Sequence, residues 1–506
     1  MKSNIKSQGL AIFILSVLLA SPICTVEAQD RSFPAAMDLE DQGRFMDASA
    51  ILEKMLHNNA ETLSSAEKGK ILFQLERMRR IRIDYSLTGD DLYAQLQQSV
   101  KNISREEFTQ WLKEGKFDAR VIDDTLRFVS VSRSNLFFRN ADIAARKIPQ
   151  TGYFGSPLPA EHEFHEALYN DCLAIEKTAD SLNTPYVLPK DFTMKMMVTA
   201  DSGAARPGEV VKAWLPIPRK FPFQTDFKLV SSSSEPVRIA DPDSPIRSAF
   251  MEQPADSNGG ASFSIEYTYR TFGVHFNLKT NKAVQYDKSD SVYKKFTSEA
   301  PNIIFTDKIK KLSKEITGTE TNPLLNAKKI FDWISRDVKY SFAREYSTIN
   351  NISDYCLTKE YGDCGQEAML FIALCRYNGI PARWQSGWFT FPNAKDIHDW
   401  TEVYLPPYGW IPVDPYMGIA SYRYMMDLTT KQRELVHDFY FGGLDQYRMS
   451  ANFDNNQILT PSKKYFRSDN VDFQRGELET DESNIYFNRF EYSLDVREEI
   501  NQVGVK

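Results

Sequence analysis

The sequence predicts a multidomain α+β chain: an N-terminal helical domain, an antiparallel β-sandwich, then a mixed core with a β-rich C-terminal extension. Three observations predict this. Residues 30–149 repeat apolar side chains at helical spacing, the period changes to two from Phe192, and residues 364–415 run helix, strand, strand.

The chain opens with Lys2 and Lys6, an apolar run from Leu10 to Ala20, and small residues around Val26-Glu27-Ala28. A basic start, a short apolar core and a small-x-small exit describe a signal peptide over residues 1–28. At about 11 residues the run falls short of the roughly 20 that cross a bilayer as a helix. Lipidation at Cys24 is less favoured, because Ile23 stands where a small residue is wanted. The expected location is therefore exported, periplasmic or extracellular, with no transmembrane segment in the mature chain. Removing residues 1–28 moves the net charge from −7 to −8. That balance lacks the basic footprint of a nucleic-acid binder.

The 33 Phe, 24 Tyr and 7 Trp supply ample core, which excludes a disordered chain. Four cysteines follow the leader: Cys172, Cys356, Cys364 and Cys375. No spacing suits zinc, and no metal or cofactor is expected. A Cys172–Cys356 bridge is left open.

Residues 29–150 form the expected helical domain. Ala35 to Leu56 reads as a helix–turn–helix pair, and Ser64-x-x-Glu67 and Ser104-x-x-Glu107 are capping boxes. Arg77, Arg79, Arg80 and Arg82 read as the solvated face of a helix in preference to an anion patch. Residues 151–190 are expected to be a linker with a short helix. In it His162 and His165 lack a third metal ligand at useful spacing. Strands at Val210–Leu215, Phe227–Ser231 and Ser262–Tyr269 place the sandwich at 191–295. The core follows at 296–425 and its β-rich extension at 426–506, with strands anticipated at 447–451, 457–459 and 484–492.

Chemistry concentrates in the core. Gly362-Asp363-Cys364-Gly365 precedes an apolar stripe at 368, 371, 372 and 375, closed by Gly379 and Pro381. Cys364 therefore falls in the first turn of a helix, where unsatisfied amides and the helix dipole favour a thiolate. Cys375 lies roughly 16 Å further along at 1.5 Å per residue and reads as core. Two strands follow, one carrying His398, Trp400, Glu402 and Tyr404 on one face, the other Trp410, Pro412 and Asp414. A plain mirror register puts Asp414 opposite Thr401. A bulge or an uneven loop at Pro406-Pro407 is required to bring Asp414 to the face of His398. A thiol nucleophile, an imidazole that moves its proton and a carboxylate that fixes the imidazole are the parts of amide cleavage through an acyl-enzyme.

These motifs, with Gly379-Ile380-Pro381-Ala382-Arg383, His398-Asp399-Trp400-Thr401-Glu402-Val403-Tyr404 and Gly409-Trp410-Ile411-Pro412-Val413-Asp414-Pro415, resemble the bacterial transglutaminase-like superfamily over about residues 322–418. The resemblance implies a papain-like core with Cys364, His398 and Asp414 as its triad. It implies a peptidase or amidase acting on a peptide, peptidoglycan fragment or glycopeptide. An amine-accepting acyltransferase and a non-catalytic binding protein stand as alternatives. The oxyanion donor is expected at the backbone amide of Cys364 with Tyr355 or Tyr361. Trp384, Trp388, Trp400 and Trp410 divide between cleft wall and sheet core, Trp400 being the best cleft candidate.

Overall fold

A computed structural model describes residues 32–499 apart from 60, 153, 281–285 and 393. The expected signal peptide at 1–28, with Cys24, lies outside the described residues. Among those described, no helix is long and apolar enough to cross a membrane.

The chain divides into two compact units, 1–71 and 72–506. In the first, helices Phe33–Asp41 and Phe45–Asn58 bury Ala36, Leu39, Phe45, Ala48 and Leu52, turning at Gly43 with φ +83°. Ser64 and Glu67 exchange both bonds of a capping box at 2.9 and 3.2 Å.

The second unit opens with helices Gly89–Ser99 and Arg105–Lys113 around Leu92, Leu96, Phe108 and Trp111. Glu107 does not close the second expected box. Ser104 caps its amide at 3.1 Å, while its carboxylate pairs with Arg146. An unanticipated hairpin, Ala119–Ile122 with Thr125–Phe128, interrupts the helical region. Its turn is Asp123-Asp124, both at positive φ (45° and 62°), a conformation that short polar side chains tolerate in two-residue hairpins. The solvated-face reading of the arginines holds for exposed Arg79 and Arg82 and requires correction for Arg77 and Arg80. Arg80 is fully buried and donates to the carbonyls of Ser468 and Arg467 at 3.0 Å, and buried Arg77 donates to Thr348 O at 3.1 Å. A guanidinium can satisfy several carbonyls at once, so here it serves as a polar fastener inside the fold.

The segment expected as a linker carries a 25-residue helix, Leu158–Leu182, that buries His165, Leu168, Cys172, Ile175 and Ala179. That spacing is one continuous apolar stripe. Asn183 ends the helix at φ 50°.

Two five-stranded sheets follow. In one, Gly443–Leu444, Ala261–His275, Tyr186–Ala200 and Phe490–Glu499 neighbour one another in that order, with Gln224–Ser232 also on Ala261–His275. In the other the order is Asn484–Ile485, Glu477–Thr480, Val210–Pro216, Ser248–Pro254 and Arg238–Ile239. Met194, Met196 and Val198 of the first share a core with Val211, Ala213 and Leu215 of the second. The expected extension at 426–506 therefore does not simply complete the catalytic core. It contributes helix Thr430–Phe439 and gives strands to both of these sheets, while only Arg448–Phe453 joins the sheet that carries His398. No strand forms at 457–459, where Ile458 is exposed.

A four-stranded sheet is antiparallel, ordered Gly409–Val413, Asp396–Leu405, Ala382–Phe389, Arg448–Phe453. Helix Cys364–Tyr377 packs on it and is buried on every side from Gly365 to Arg376, which its continuous apolar composition permits.

Candidate active site

Asp363 caps the helix that begins at Cys364. Its carboxylate accepts from Gln366 N at 3.0 Å, and Gln366 returns a bond to Asp363 N. The cap fixes where the sulfur stands. Gly365 is required beside it, because a Cβ there would meet Tyr346 Oη at 2.0 Å and Asp399 Oδ2 at 2.7 Å.

The register question is answered by the loop. Leu405 pairs with Gly409 across Pro406, Pro407 and Tyr408, so Thr401 faces Val413, not Asp414. Three loop residues, with Gly409 at φ +83°, shift the pairing by one and bring Asp414 to the face of His398. His398 Nε2 and Asp414 Oδ2 lie 2.8 Å apart, both buried. An ionised carboxylate only accepts, so Nε2 carries the proton and Nδ1 is left with the lone pair.

Asp414 has further partners that sequence reading missed. Arg448 Nη1 donates to its Oδ2 at 2.9 Å and Met417 N to its Oδ1 at 3.1 Å. Burial would raise this carboxyl, but His398 and Arg448 outweigh it and hold the group below its ordinary range. Arg448 is in turn bound to Asp445 at 2.7 Å. The imidazole stacks on Trp400 and meets the edge of Tyr416.

Cys364 and His398 line one cavity of about 290 Å³ with Tyr340, Tyr416 and His165. Cys364 also lines a second cavity of about 170 Å³ on the side of Asp363 and Asp399. There its thiol donates to Asp399 Oδ2 at 3.7 Å. Burial, then the charges of Asp399 and Asp363, pushes the Cys364 thiol well above its ordinary value. The helix terminus, helped by a neighbouring imidazole, was expected to depress it. Desolvation and two neighbouring acids oppose the helix terminus and favour the protonated thiol. Gln474 Nε2 donates to His398 O and Asp399 Oδ1 at 3.0 and 2.9 Å, tying the C-terminal segment to the strand of the imidazole.

Other expected residues fall elsewhere. Tyr355 and Tyr361 line neither cavity, and the Tyr361 hydroxyl is held by Asp118. The tyrosines at the thiol are Tyr340, Tyr346 and Tyr416. Trp400 is fully buried against Phe221, Phe223 and Leu444, beneath the imidazole and away from both cavities. Trp384 and Trp388 are likewise core, and Trp410 lines neither cavity. All four described cysteines are free, which closes the Cys172–Cys356 option, and Cys375 is core. His162 and His165 share a carboxylate that spacing could not reveal, Asp427, at 2.6 and 2.7 Å. Among the described residues one cluster has metal-ligand character, Glu176, Asp180 and His275, and it lines neither cavity.

Residues 310–415 match the family model of the transglutaminase-like superfamily. An uncharacterized protein of Haemophilus influenzae is 25% identical over 245 residues, 42% of this chain and 64% of its own length. The uncharacterized protein YebA of Bacillus subtilis is 25% identical over 135 residues, 23% of this chain and 18% of its own. The chain thus spans less than two thirds of either relative. Among solved structures, a candidate cysteine protease from Cytophaga hutchinsonii aligns over 62% of this chain and 92% of its own, at 17% identity and TM-score 0.40. The periplasmic domain of TgpA from Pseudomonas aeruginosa aligns over 45% and 96%, at 14% identity and TM-score 0.26. Likenesses this distant carry no argument about activity, and what stands is the family match: residues 310–415 of this chain are similar to the transglutaminase-like superfamily.

Proposed function

We propose that this protein is an exported cysteine hydrolase that cleaves an amide bond through an acyl-enzyme on Cys364. One observation carries the reading. The sulfur and the imidazole line the same cavity, and Asp414 occupies Nε2 so that Nδ1 is the basic nitrogen.

In the proposed sequence the Cys364 proton passes to His398 as sulfur attacks the carbonyl carbon. The developing oxyanion takes the backbone amide of Cys364 at the helix N-terminus. The C–N bond then breaks, and His398 gives the proton to the leaving amine. Water, deprotonated by the same imidazole, attacks the thioester and releases the acid and the thiol. Asp414 stays ionised throughout and stabilises the imidazolium, as Arg448 stabilises Asp414. A peptide, peptidoglycan fragment or glycopeptide is the proposed substrate class. Export is supported by the composition of residues 1–28.

The test incubates full-length protein and Cys364→Ala with short peptide amides and peptidoglycan fragments in the presence of a labelled primary amine. Release of free acid by the wild type alone supports hydrolysis. Labelled amide exceeding free acid overturns it in favour of acyl transfer, and no turnover of either kind overturns both.

A further inference from the structure

We propose that the cavity on the Asp399 side of Cys364 binds a primary ammonium group carried by the substrate close to the amide under attack. The proposal rests on the hydrolase reading for its place in the reaction and extends it to substrate class.

The cavity encloses about 170 Å³ and has Cys364 in its wall. Asp363, Asp396, Asp399, Asp469 and Asp472 line it. So do two arginines. Arg475 is bidentate to Glu345 at 3.0 and 2.5 Å and lies 3.8 Å from Asp469, while Arg344 donates to Thr348 O at 3.0 Å; neither comes within ion-pair distance of Asp472. Asp472 points to a missing cation. It is 4% exposed and faces the cavity, yet among the described residues its carboxylate accepts no hydrogen bond and has no cation at ion-pair distance. Leaving a buried carboxylate unpaired is costly, whereas a charged hydrogen bond to it is among the stronger ones a ligand can make. Burial comes first among the causes that raise all five carboxyls, Asp363 to about 6. A bound cation would favour their ionised forms.

The kind of cation follows from the spread of the oxygens. No three of these carboxylates have ligand atoms within 4.8 Å of one another, as a bare metal ion would need. An ammonium on an organic stem fits a roomy site with dispersed acceptors. Either a free α-amine or the side-chain amine of a basic or diamino residue supplies it.

The experiment is calorimetric titration of full-length Cys364→Ala. The probes are alanyl-alanine amide, its N-acetyl form, N-acetyl-lysine amide and calcium chloride. At least one free-amine probe is expected to bind about tenfold or more tighter than the acetylated dipeptide. Asp472→Asn and Asp396→Asn, each checked for folding by circular dichroism, are expected to shrink that preference below about threefold. Which amine binds names its source. Equal binding of amine and acetylated probes overturns the proposal. So does a preference that both folded variants retain, or calcium binding lost in Asp472→Asn while no amine binds. Should neither variant fold, the comparison of probes on the parent protein decides. Amine preference in a protein that turns over no substrate would sink the hydrolase reading and leave the subsite standing.

Discussion

The two sides of Cys364 handle buried charge in opposite ways. On the imidazole side Asp414 meets His398 and Arg448, and Arg448 also meets Asp445. On the other side Asp399, Asp469 and Asp472 crowd together; Asp469 has Arg475 at 3.8 Å, while among the described residues the Asp472 carboxylate accepts no hydrogen bond and has no cation at ion-pair distance. A compensated network rigidifies and fixes a tautomer, while an uncompensated one stores a demand for a cation. The difference suggests that the first side was shaped for proton transfer and the second for a ligand. The thiol sits between them, and burial first and the acid wall second favour its protonated form.

Four predictions break or sharpen that contrast. The largest effect is on the compensated side. His398→Ala and Asp414→Asn are expected to lower kcat on the substrate found by the amine-trapping assay by about 10³–10⁴-fold, with folding retained in Asp414→Asn. Equal activity in either variant removes that side from the reaction. Next, Arg448→Met should lower stability by about 3–5 kcal/mol, because it leaves Asp414 and Asp445 buried with one cation fewer. Urea denaturation measures it, with Asp472→Asn as the contrasting variant that loses nothing.

Gly365→Ala is third. Its Cβ would displace Tyr346 and Asp399, and a shift of that size at the nucleophile costs about 10²-fold in kcat/KM. The smallest effect concerns pH. Asp84, raised to about 7 first by burial and then by Glu345, and Asp363, raised to about 6, both have folded values above their unfolded ones. Their contribution to stability is therefore complete below about pH 4 and is lost as pH rises through 6 to 7. Asp84→Asn should raise Tm at pH 8 relative to pH 4; a shift of equal size at both values contradicts this.

Much of the first side was legible in the sequence, because it is local. Asp363-Cys364-Gly365 carries its own cap and helix, and His398 and Asp414 lie on adjacent strands whose register one loop decides. A count of the residues between Leu405 and Gly409 was the missing step. The second side was not legible. Asp469, Asp472 and Gln474 come from an irregular segment without hydrophobic period, and nothing local says that it returns to the thiol. Arg448 is hidden for the same reason, since strand alternation at 448–453 does not name the sheet it joins. The strands of the tail alternate clearly, as at Leu494 and Val496, yet pairing across some 300 residues is set by tertiary packing alone. Placing Trp400 at the cleft failed for a similar cause: aromatic content signals burial but not which side of a sheet is a cavity.

The most direct measurement is the rate at which iodoacetamide alkylates Cys364 at pH 7, followed by intact mass and peptide mapping in the wild type, His398→Ala and Asp399→Asn. If the imidazole takes the proton that the acid wall helps retain, Cys364 reacts ahead of Cys375, His398→Ala slows it by about tenfold or more, and Asp399→Asn speeds it. Alkylation of Cys364 at the same rate in wild type and His398→Ala, or no faster than Cys375, would contradict the account.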